Sequence, residues 1–558
     1  MGLILLLLVL GIALSLPFVQ TKIAQYFTNS INKDYGTNIA IDEVRVSVFG
    51  GVKFKKVIIL DHHKDTLIYS KIVNTNILEG KKILDGDLIF KDIHLEGLLF
   101  NLKTYKNEKE SNIDKFINAF NTGKPSGKHF LLKANNAYIT DGHFILTDEN
   151  KNTPKQLDFT RLNTTLSDFL LYGPAVKTII NKMSFLDHRG LYVANLSSNF
   201  SYTKKNIKLE QLKIETKESK IDADVYLNYK IEDFASFTDK VQFDVKINSS
   251  KLGSNDLRIF YDELGKNQYF NIKANIKGPL NNLKITRLNL IDSNKTKMLG
   301  AINFKNIFGA EDQRFLMDAN FTSFSSSYDN LVTILPNFLG KKLPIEIKKL
   351  GKFSLVGTTQ LTSTAIDADF SLVSDLGKLK SVLSMTRIDF IDKASYSGKV
   401  VLDNFDVGEL LDRKDLGKIS MNIDVDGVGF TEKYLNTSLK GDITKIDFNN
   451  YIYTNVVVNG KFKAPNYKGQ ISVNDPNLSM NFDGLLDLSK KDNKYDFHIN
   501  VENADLHKLK LVKDSVSIFK GDVIVQVTGN TIENLQGNVY IKKTSYQNVK
   551  DTYVFNDF

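Results

Sequence analysis

The sequence predicts a mainly β protein: a long curled antiparallel β-sheet forming a groove, with a few short helices, preceded by an N-terminal transmembrane helix. Three observations carry that expectation. Apolar and polar residues alternate one by one through most of the chain, helical periodicity is confined to short pieces, and the chain opens on an uncharged apolar run. At 558 residues it exceeds the size at which a single core stops growing, so it is either several domains or one elongated repetitive structure.

The opening run, Gly2 to Val19 (GLILLLLVLGIALSLPFV), carries no charge. As a helix it spans about 27 Å at the standard rise per residue, close to a hydrocarbon core of about 30 Å. A cleaved signal peptide has a shorter apolar core that ends at a small-residue site. Here the run continues through Leu16, Pro17 and Phe18 with no A-x-A site, so residues 1–19 are assigned as a transmembrane signal anchor. The first basic residue, Lys22, follows the run, and the positive-inside rule therefore leaves its orientation ambiguous. Val19, Ile23, Ala24, Phe27 and Ile31 then recur at helical spacing and Asp34-Tyr35-Gly36 supplies a stop, which predicts an amphipathic helix over residues 20–36 lying on the membrane surface.

Strict alternation begins near Asn38. In IDADVYLNYKI, Ile221, Ala223, Val225, Leu227, Tyr229 and Ile231 share one face of a strand and Asp222, Asp224, Tyr226, Asn228 and Lys230 share the other. Val241, Phe243, Val245, Ile247 repeat the pattern, as do Phe270, Ile272, Ala274, Ile276 and, far along the chain, Tyr495, Phe497, Ile499, Val501. Such strands are half-buried and antiparallel; strands of a parallel α/β sheet read as continuous apolar runs. Helices are expected at Ile113–Phe120, Asp256–Leu264, Tyr328–Phe338, Val407–Leu411 and Leu506–Leu509. Four of them open a weak repeat of strand, short helix and strand pair ending in Gly278, Gly357, Gly427 or Gly529, whose unequal intervals argue against a propeller or tight solenoid. The polar stretch KTYKNEKESN divides a first β module with its closing helix, residues 37–123, from an elongated repetitive groove with helical insertions, residues 124–558.

Composition narrows function. The hydrophobic fraction of 42% and charged fraction of 25% belong to a folded chain that is neither disordered nor polytopic. The net charge is +9, but 73 Lys and Arg are mixed with 64 Asp and Glu along nearly every segment, without the clustered stripe that binds nucleic acid. Without cysteine there is no disulfide scaffold, thiolate zinc site or cysteine nucleophile. No Walker loop, G-x-S-x-G or H-E-x-x-H occurs. Asp61-His62-His63-Lys64-Asp65 has the residue types of a metal site, but neighbours in an extended segment point to opposite faces and the composition is that of a turn. His498 is expected to form a solvated pair with Asp496, and Gly50-Gly51 a bend between strands. The expectation is therefore no enzyme, no cofactor and no metal.

The stretch SLPFVQTKIAQYFTNSINKDYGTNIAIDEVRVSVFGGVKFKKVIILDHHKDTLI, Ser15 to Ile68, resembles the start of TamB-like proteins of the AsmA-like superfamily, and ANNAYITDGHFILTDE, Ala134 to Glu149, is similar to their early strand pair. The family's carboxy-terminal domain finds no counterpart here, so the resemblance is to the amino-terminal portion. It implies a single-pass inner-membrane protein with a periplasmic body, a sheet curled into an apolar groove (a β-taco), and transport of phospholipids between inner and outer membranes. It implies as an alternative a scaffold or assembly factor for outer-membrane proteins with an Omp85-type outer-membrane partner.

The apolar strand faces have two readings. They pack against a second sheet as a sandwich core, or they line an open groove for phospholipid acyl chains. In the second reading the groove residues are Val225, Leu227, Phe243, Val245, Ile247, Phe270, Ile272, Ile276, Phe497, Ile499 and Val501. The resemblance, the anchor and the lack of domain linkers favour the groove. A surface adhesin stalk is a third reading, against which a retained inner-membrane anchor argues.

Overall fold

The computed structural model describes residues 14–47, 50–78, 87–121, 131–308, 315–336, 345–430, 433–463, 465–488 and 492–558. Most of residues 1–19, assigned above to a membrane anchor, lies outside them, and no described helix is long and apolar enough to cross a membrane. The protein is mainly β, and its 28 described strands belong to one sheet that is not closed into a barrel. Two compact units divide it, Met1–Leu280 and Asn281–Phe558.

The first unit begins with helix α1 (Pro17–Tyr35), which starts on a proline and stops where Gly36 turns left-handed at φ 64°. Twelve strands follow: β1 (Asn38–Val46), β2 (Gly51–Leu60), β3 (Thr66–Ile77), β4 (Asp87–Thr104), β5 (Leu131–Asp148), β6 (Lys155–Tyr172), β7 (Ala175–Asp187), β8 (Tyr192–Tyr202), β9 (Asn206–Glu215), β10 (Lys220–Asn228), β11 (Gln242–Gly253) and β12 (Tyr269–Gly278). Each pairs with its neighbours in sequence, antiparallel throughout except that β4 and β5 run parallel. A parallel pair needs a crossover, and the connection here carries helix α2 (Asn112–Asn121). The strands on either side of the polar stretch at Lys103–Asn112 are thus hydrogen-bonded to each other.

Helix α1 lies against the outer edge of β1, and its polar side chains act as a substitute strand. Asn32 accepts from Ile39 N and donates to Ile39 O, both at 2.8 Å. Thr21 Oγ1 accepts from Val44 N at 2.9 Å, and Gln20 Oε1 accepts from Val46 N at 2.7 Å. An exposed strand edge is a template for unwanted pairing, and these bonds close it. Several apolar side chains of the helix are left exposed, Phe18, Ile23, Tyr26 and Phe27, while Val19, Ala24 and Ile31 are half-buried.

Two expectations for this unit change. The alternating run of β10 ends at Asn228, short of Ile231, because the Asp233 carboxylate accepts from Lys230 N (2.7 Å) and starts a 3-10 turn over Ile231–Ser236, followed by α3 (Phe237–Lys240). The helix expected at Asp256–Leu264 shrinks to α4 (Ser254–Leu257) and turns.

The second unit holds β13 (Lys284–Asp292), β14 (Lys297–Lys305), β15 (Leu316–Ser327), helix α5 (Tyr328–Ile334), β16 (Lys352–Thr362), β17 (Ala365–Ser374), β18 (Gly377–Thr386) and β19 (Ser395–Asp406). Helix α6 (Val407–Leu411) follows, then β20 (Leu416–Val428), β21 (Asn436–Phe448), β22 (Tyr451–Lys463), β23 (Asn466–Asp475) and β24 (Leu478–Asp487). Strands β25 (Lys494–Asp505), β26 (Ser517–Thr528), β27 (Gln536–Asn548) and β28 (Thr552–Phe555) complete it. Every pairing within this unit is antiparallel between sequence neighbours. Leu506–Leu509 forms turns, not a helix. Helices α5 and α6 and the 506–511 turns all connect an odd-numbered strand to the next, which in an antiparallel ladder puts them on one rim of this unit. Two apolar clusters sit at that rim: Leu376, Leu402 and Phe405 with Val407 and Leu410 of α6, and Val501 and Ala504 with Leu506 and Leu509.

Buried aspartates close several hairpin turns. Asp61, Asp187, Asp292 and Asp475 are each buried and accept from the backbone N–H two residues on, the Asx-turn that pre-forms a tight reversal.

Candidate functional site

Residues directly opposite in a ladder share a face, so the register traces each face strand by strand. In the first unit Leu209, Val225, Val245 and Ile276 form one continuous row, and Ile207, Leu227, Phe243 and Gly278 the next. Ile247 lies between Ala223 and Ala274. A bulge after Ile247 shifts the register, and Ser250 and Leu252 then oppose Ile272 and Phe270. All eight expected groove residues of this unit therefore lie on one face. Phe270 is buried and the other seven are half-buried. Where β10 ends, Phe237 approaches Phe243 edge-on at 5.8 Å and packs on Phe234, so the 3-10 turn and α3 cover the end of this face. The opposite face is wet: Asp244 pairs with Lys277 at 3.0 Å, both exposed, and Lys246 and Lys273 are exposed.

The face is not uniform. Farther back in the same unit, Thr75, Ile93, Ala137, Leu166, Ile180 and Ser198 stand in one row across β3–β8, and every one is buried. Large aliphatic and small side chains are mixed along the row, and there the face is packed shut as a core.

In the second unit Phe497, Ile499 and Val501 belong to three adjacent rows of one face. Ile499 continues Ile423, Gly441, Val458, Ile471 and Phe482 and leads on to Val523. Phe497 continues Val425, Leu439, Gly460, Gly469 and Gly484 and leads on to Val525, and every member of this row is half-buried. Sequence reasoning did not find Gly441, Gly460, Gly469 and Gly484. At Gly484, φ is 155° and a Cβ would stand 2.4 Å from Phe497 Cα; at Gly357, φ is 151° and a Cβ would stand 2.2 Å from Asp369 O. Only glycine adopts this backbone without strain, and glycines placed so inside strands are sites where a sheet bends sharply. Gly300, Gly398, Gly441 and Gly469 share the conformation. Of the glycines aligned from the sequence repeat, Gly357 belongs to this set, while Gly278, Gly427 and Gly529 stand at or beside strand ends. An open hollow of about 590 Å³ adjoins Gly460 and Gly469, and Lys440, Lys461 and Lys468 line it.

A polar cluster lies at the β2–β3 turn of the first unit. The turn closes through Asp61 N to Asp65 O (2.8 Å), with Lys64 left-handed at φ 67°. The Asp61 carboxylate accepts from Tyr105 (2.7 Å) and from Asn112 (3.1 Å), and Asn112, almost wholly buried, also donates to Asn101 O and accepts from Lys103 N. Burial pushes the Asp61 carboxyl up, and hydrogen bonds from Tyr105, Asn112 and the His63 and Asp65 amides outweigh it, leaving it below the usual carboxylate range. Burial, then the Asp61 and Asp65 acceptors, raises the Tyr105 hydroxyl. The cluster thus pins the β4–β5 crossover to the β2–β3 turn.

The two histidines do not diverge as an extended segment would require. His62 Nε2 is 2.9 Å and His63 Nε2 2.8 Å from the two oxygens of Glu108, forty-five and more residues away, and His63 stacks on Tyr105 at 3.9 Å. Lys115 Nζ is 2.8 Å from Glu108 and 3.1 Å from His62 Nε2. Hydrogen bonds from Lys115 and His63 lead the effects that lower the Glu108 carboxyl to about 2. His498 meets Asp522 of the next strand at 2.7 Å, in place of the expected Asp496. Gly50 takes a positive φ of 83° at the β1–β2 bend.

Comparison with protein-family models, with curated proteins and with solved structures returns no match.

Proposed function

We propose that the protein is a single-pass, inner-membrane-anchored periplasmic groove protein that carries phospholipids between the inner and outer membranes by holding their acyl chains against its apolar strand faces. The observation that carries this reading is the incomplete burial of those faces. The row from Leu209 through Ile276 and the row from Val425 through Val525 are half-buried, and all described strands belong to one sheet. Moving two 16-carbon chains through water exposes about 25 kcal/mol of apolar surface at about 0.8 kcal/mol per methylene. A trough of aliphatic and aromatic side chains removes most of that barrier without covalent chemistry.

The outward apolar residues of α1 support attachment at the membrane. Ile23, Tyr26 and Phe27 are exposed to 41%, 74% and 51%, turned away from the Thr21, Gln25 and Asn32 face that meets β1. Aromatic side chains on the free face of a helix suit the headgroup boundary of a bilayer. The apolar run Gly2–Val19 and the resemblance of Ser15–Ile68 to TamB-like proteins point the same way.

Photoreactive residues at positions 245 and 272, set against positions 244 and 273 on the wet face, test the reading in membranes containing labelled phospholipid. Lipid adducts at 245 and 272 alone are the expected result. Equal labelling of both faces, or none on either, refutes the conduit and favours a scaffold that guides outer-membrane proteins with an Omp85-type partner.

A further inference from the structure

We propose that His62, His63 and Glu108 bind a divalent transition metal of the imidazole-preferring class, with Zn²⁺ as the ion to test, and that the ion staples the β2–β3 turn to the loop between β4 and α2. The proposal is independent of lipid transport.

The first argument is geometric. The donor atoms of the three side chains lie within 4.8 Å of one another, with each imidazole Nε2 within 2.9 Å of a Glu108 oxygen. In a tetrahedral zinc site, ligand bonds of about 2.0–2.1 Å place neighbouring donors about 3.3 Å apart. The histidine–carboxylate distances therefore need a few tenths of an ångström of adjustment, and the two imidazole nitrogens no more than about 1.5 Å. Two imidazoles and a carboxylate form a set that suits zinc, and a three-residue set leaves a fourth position for water.

The supports of these side chains are the second argument. The Asp61 carboxylate holds the amides of His63 and Asp65 at 2.9 and 3.0 Å, so the turn that aims both rings is rigid. Tyr105 stacks on His63 and meets His62 edge-on at 5.4 Å, while its hydroxyl is anchored on Asp61 and Asp65. These ring contacts fix the orientation of both imidazoles.

A third argument comes from a conflict in the hydrogen bonding. His62 Nε2 lies within bonding distance of Glu108 Oε2 and of Lys115 Nζ. It can donate to the carboxylate or accept from the ammonium, but a single imidazole nitrogen cannot do both. A cation bound by the Nε2 lone pair and by Glu108 removes the conflict. Lys115 already holds a positive charge beside both groups, and its side chain is one-third exposed, so it is free to swing away. Lys115 is accordingly a competitor for the site.

The competition sets the test. Tag-free full-length protein in detergent is titrated with Zn²⁺ against a chromophoric chelator, and the zinc environment is read by X-ray absorption. Expected are one zinc per chain with two imidazole ligands, affinity reduced at least about tenfold in His62→Gln and in Glu108→Gln, and affinity raised in Lys115→Met. Zinc should also slow hydrogen exchange in peptides covering residues 61–65 and 105–111. Equal binding by the wild type and the His62→Gln and Glu108→Gln chains, or weaker binding by Lys115→Met, overturns the proposal. Should a ligand variant fail to fold, Lys115→Met still decides, because its expected effect has the opposite sign.

Discussion

Replacing Asn32 by leucine should open the outer edge of β1. The Asn32 amide is bonded to both backbone groups of Ile39, at 2.8 Å each, and accepts a third bond from Thr37 at 3.0 Å. A net loss of about 0.5–1.5 kcal/mol per bond, for half-buried groups that water partly reaches, gives about 2 kcal/mol for the pair. Leucine is the better helix former by a few tenths of a kcal/mol, which offsets a little of that. Hydrogen exchange read by mass spectrometry on peptides covering residues 38–46 should therefore accelerate about thirtyfold near Ile39, since about 1.4 kcal/mol is a factor of ten. Thr21→Val, which keeps the shape and removes the acceptor for Val44 N, should accelerate exchange about fivefold at the other end of the strand, for about 1 kcal/mol. Unchanged exchange near Ile39, or one uniform change along β1 in both variants, would refute the idea that individual side chains stand in for a strand.

Three further outcomes are expected. Gly357→Ala should destabilise the second unit by about 3 kcal/mol or more, from a backbone that only glycine tolerates and a Cβ against Asp369 O; Thr358→Ala, next door on the exposed face, should barely move the urea midpoint that serves as the readout. Asp475 is buried, which raises its carboxyl, but bonds from Tyr451, the Asn477 amide and Thr454 outweigh burial and hold it low. Its stabilisation is complete above the usual Asp range near pH 4 and is lost as pH falls through the lowered value, so acid unfolding of the second unit should become shallower in Asp475→Asn. Val245→Asp sets a carboxylate between Val225 and Ile276, where an unpaired charge costs several kcal/mol, and should block phospholipid transfer between labelled vesicles, whereas Asp244→Lys, which breaks an exposed pair worth about 0–1 kcal/mol, should not; equal transfer by both would count against the trough.

The β class and the pairing of many neighbouring residues on shared strand faces were legible in the sequence, and the reason is local. A strand with one covered face needs an apolar residue at every second position, so alternation alone placed Val225 with Leu227 and Phe243 with Val245 on shared faces. Helix α6 at Val407–Leu411 and the stop of α1 at Gly36 were legible for the same reason, as capping and helical spacing act within a few residues. Ile207 and Leu209, which extend the face to β9, were readable from the alternation of NIKLE and were overlooked.

Alternation says which residues share a face but not what lies above it. Only the tertiary structure decided that Thr75 through Ser198 are packed shut while the row from Leu209 to Ile276 stays half-open, because burial depends on how strands far apart in sequence approach one another. The bulge that brings Ile272 opposite Ser250 is a choice of register and the parallel β4–β5 pair one of topology; neither leaves a period in the sequence. The histidine pair shows the limit most clearly. Opposite directions for adjacent residues hold only where the backbone is extended, and the Asp61–Asp65 turn, with Lys64 left-handed, swings both imidazoles to one side. Glu108 then reaches them from a loop placed by the crossover, and no spacing along the chain encodes a meeting that the pairing of distant strands creates.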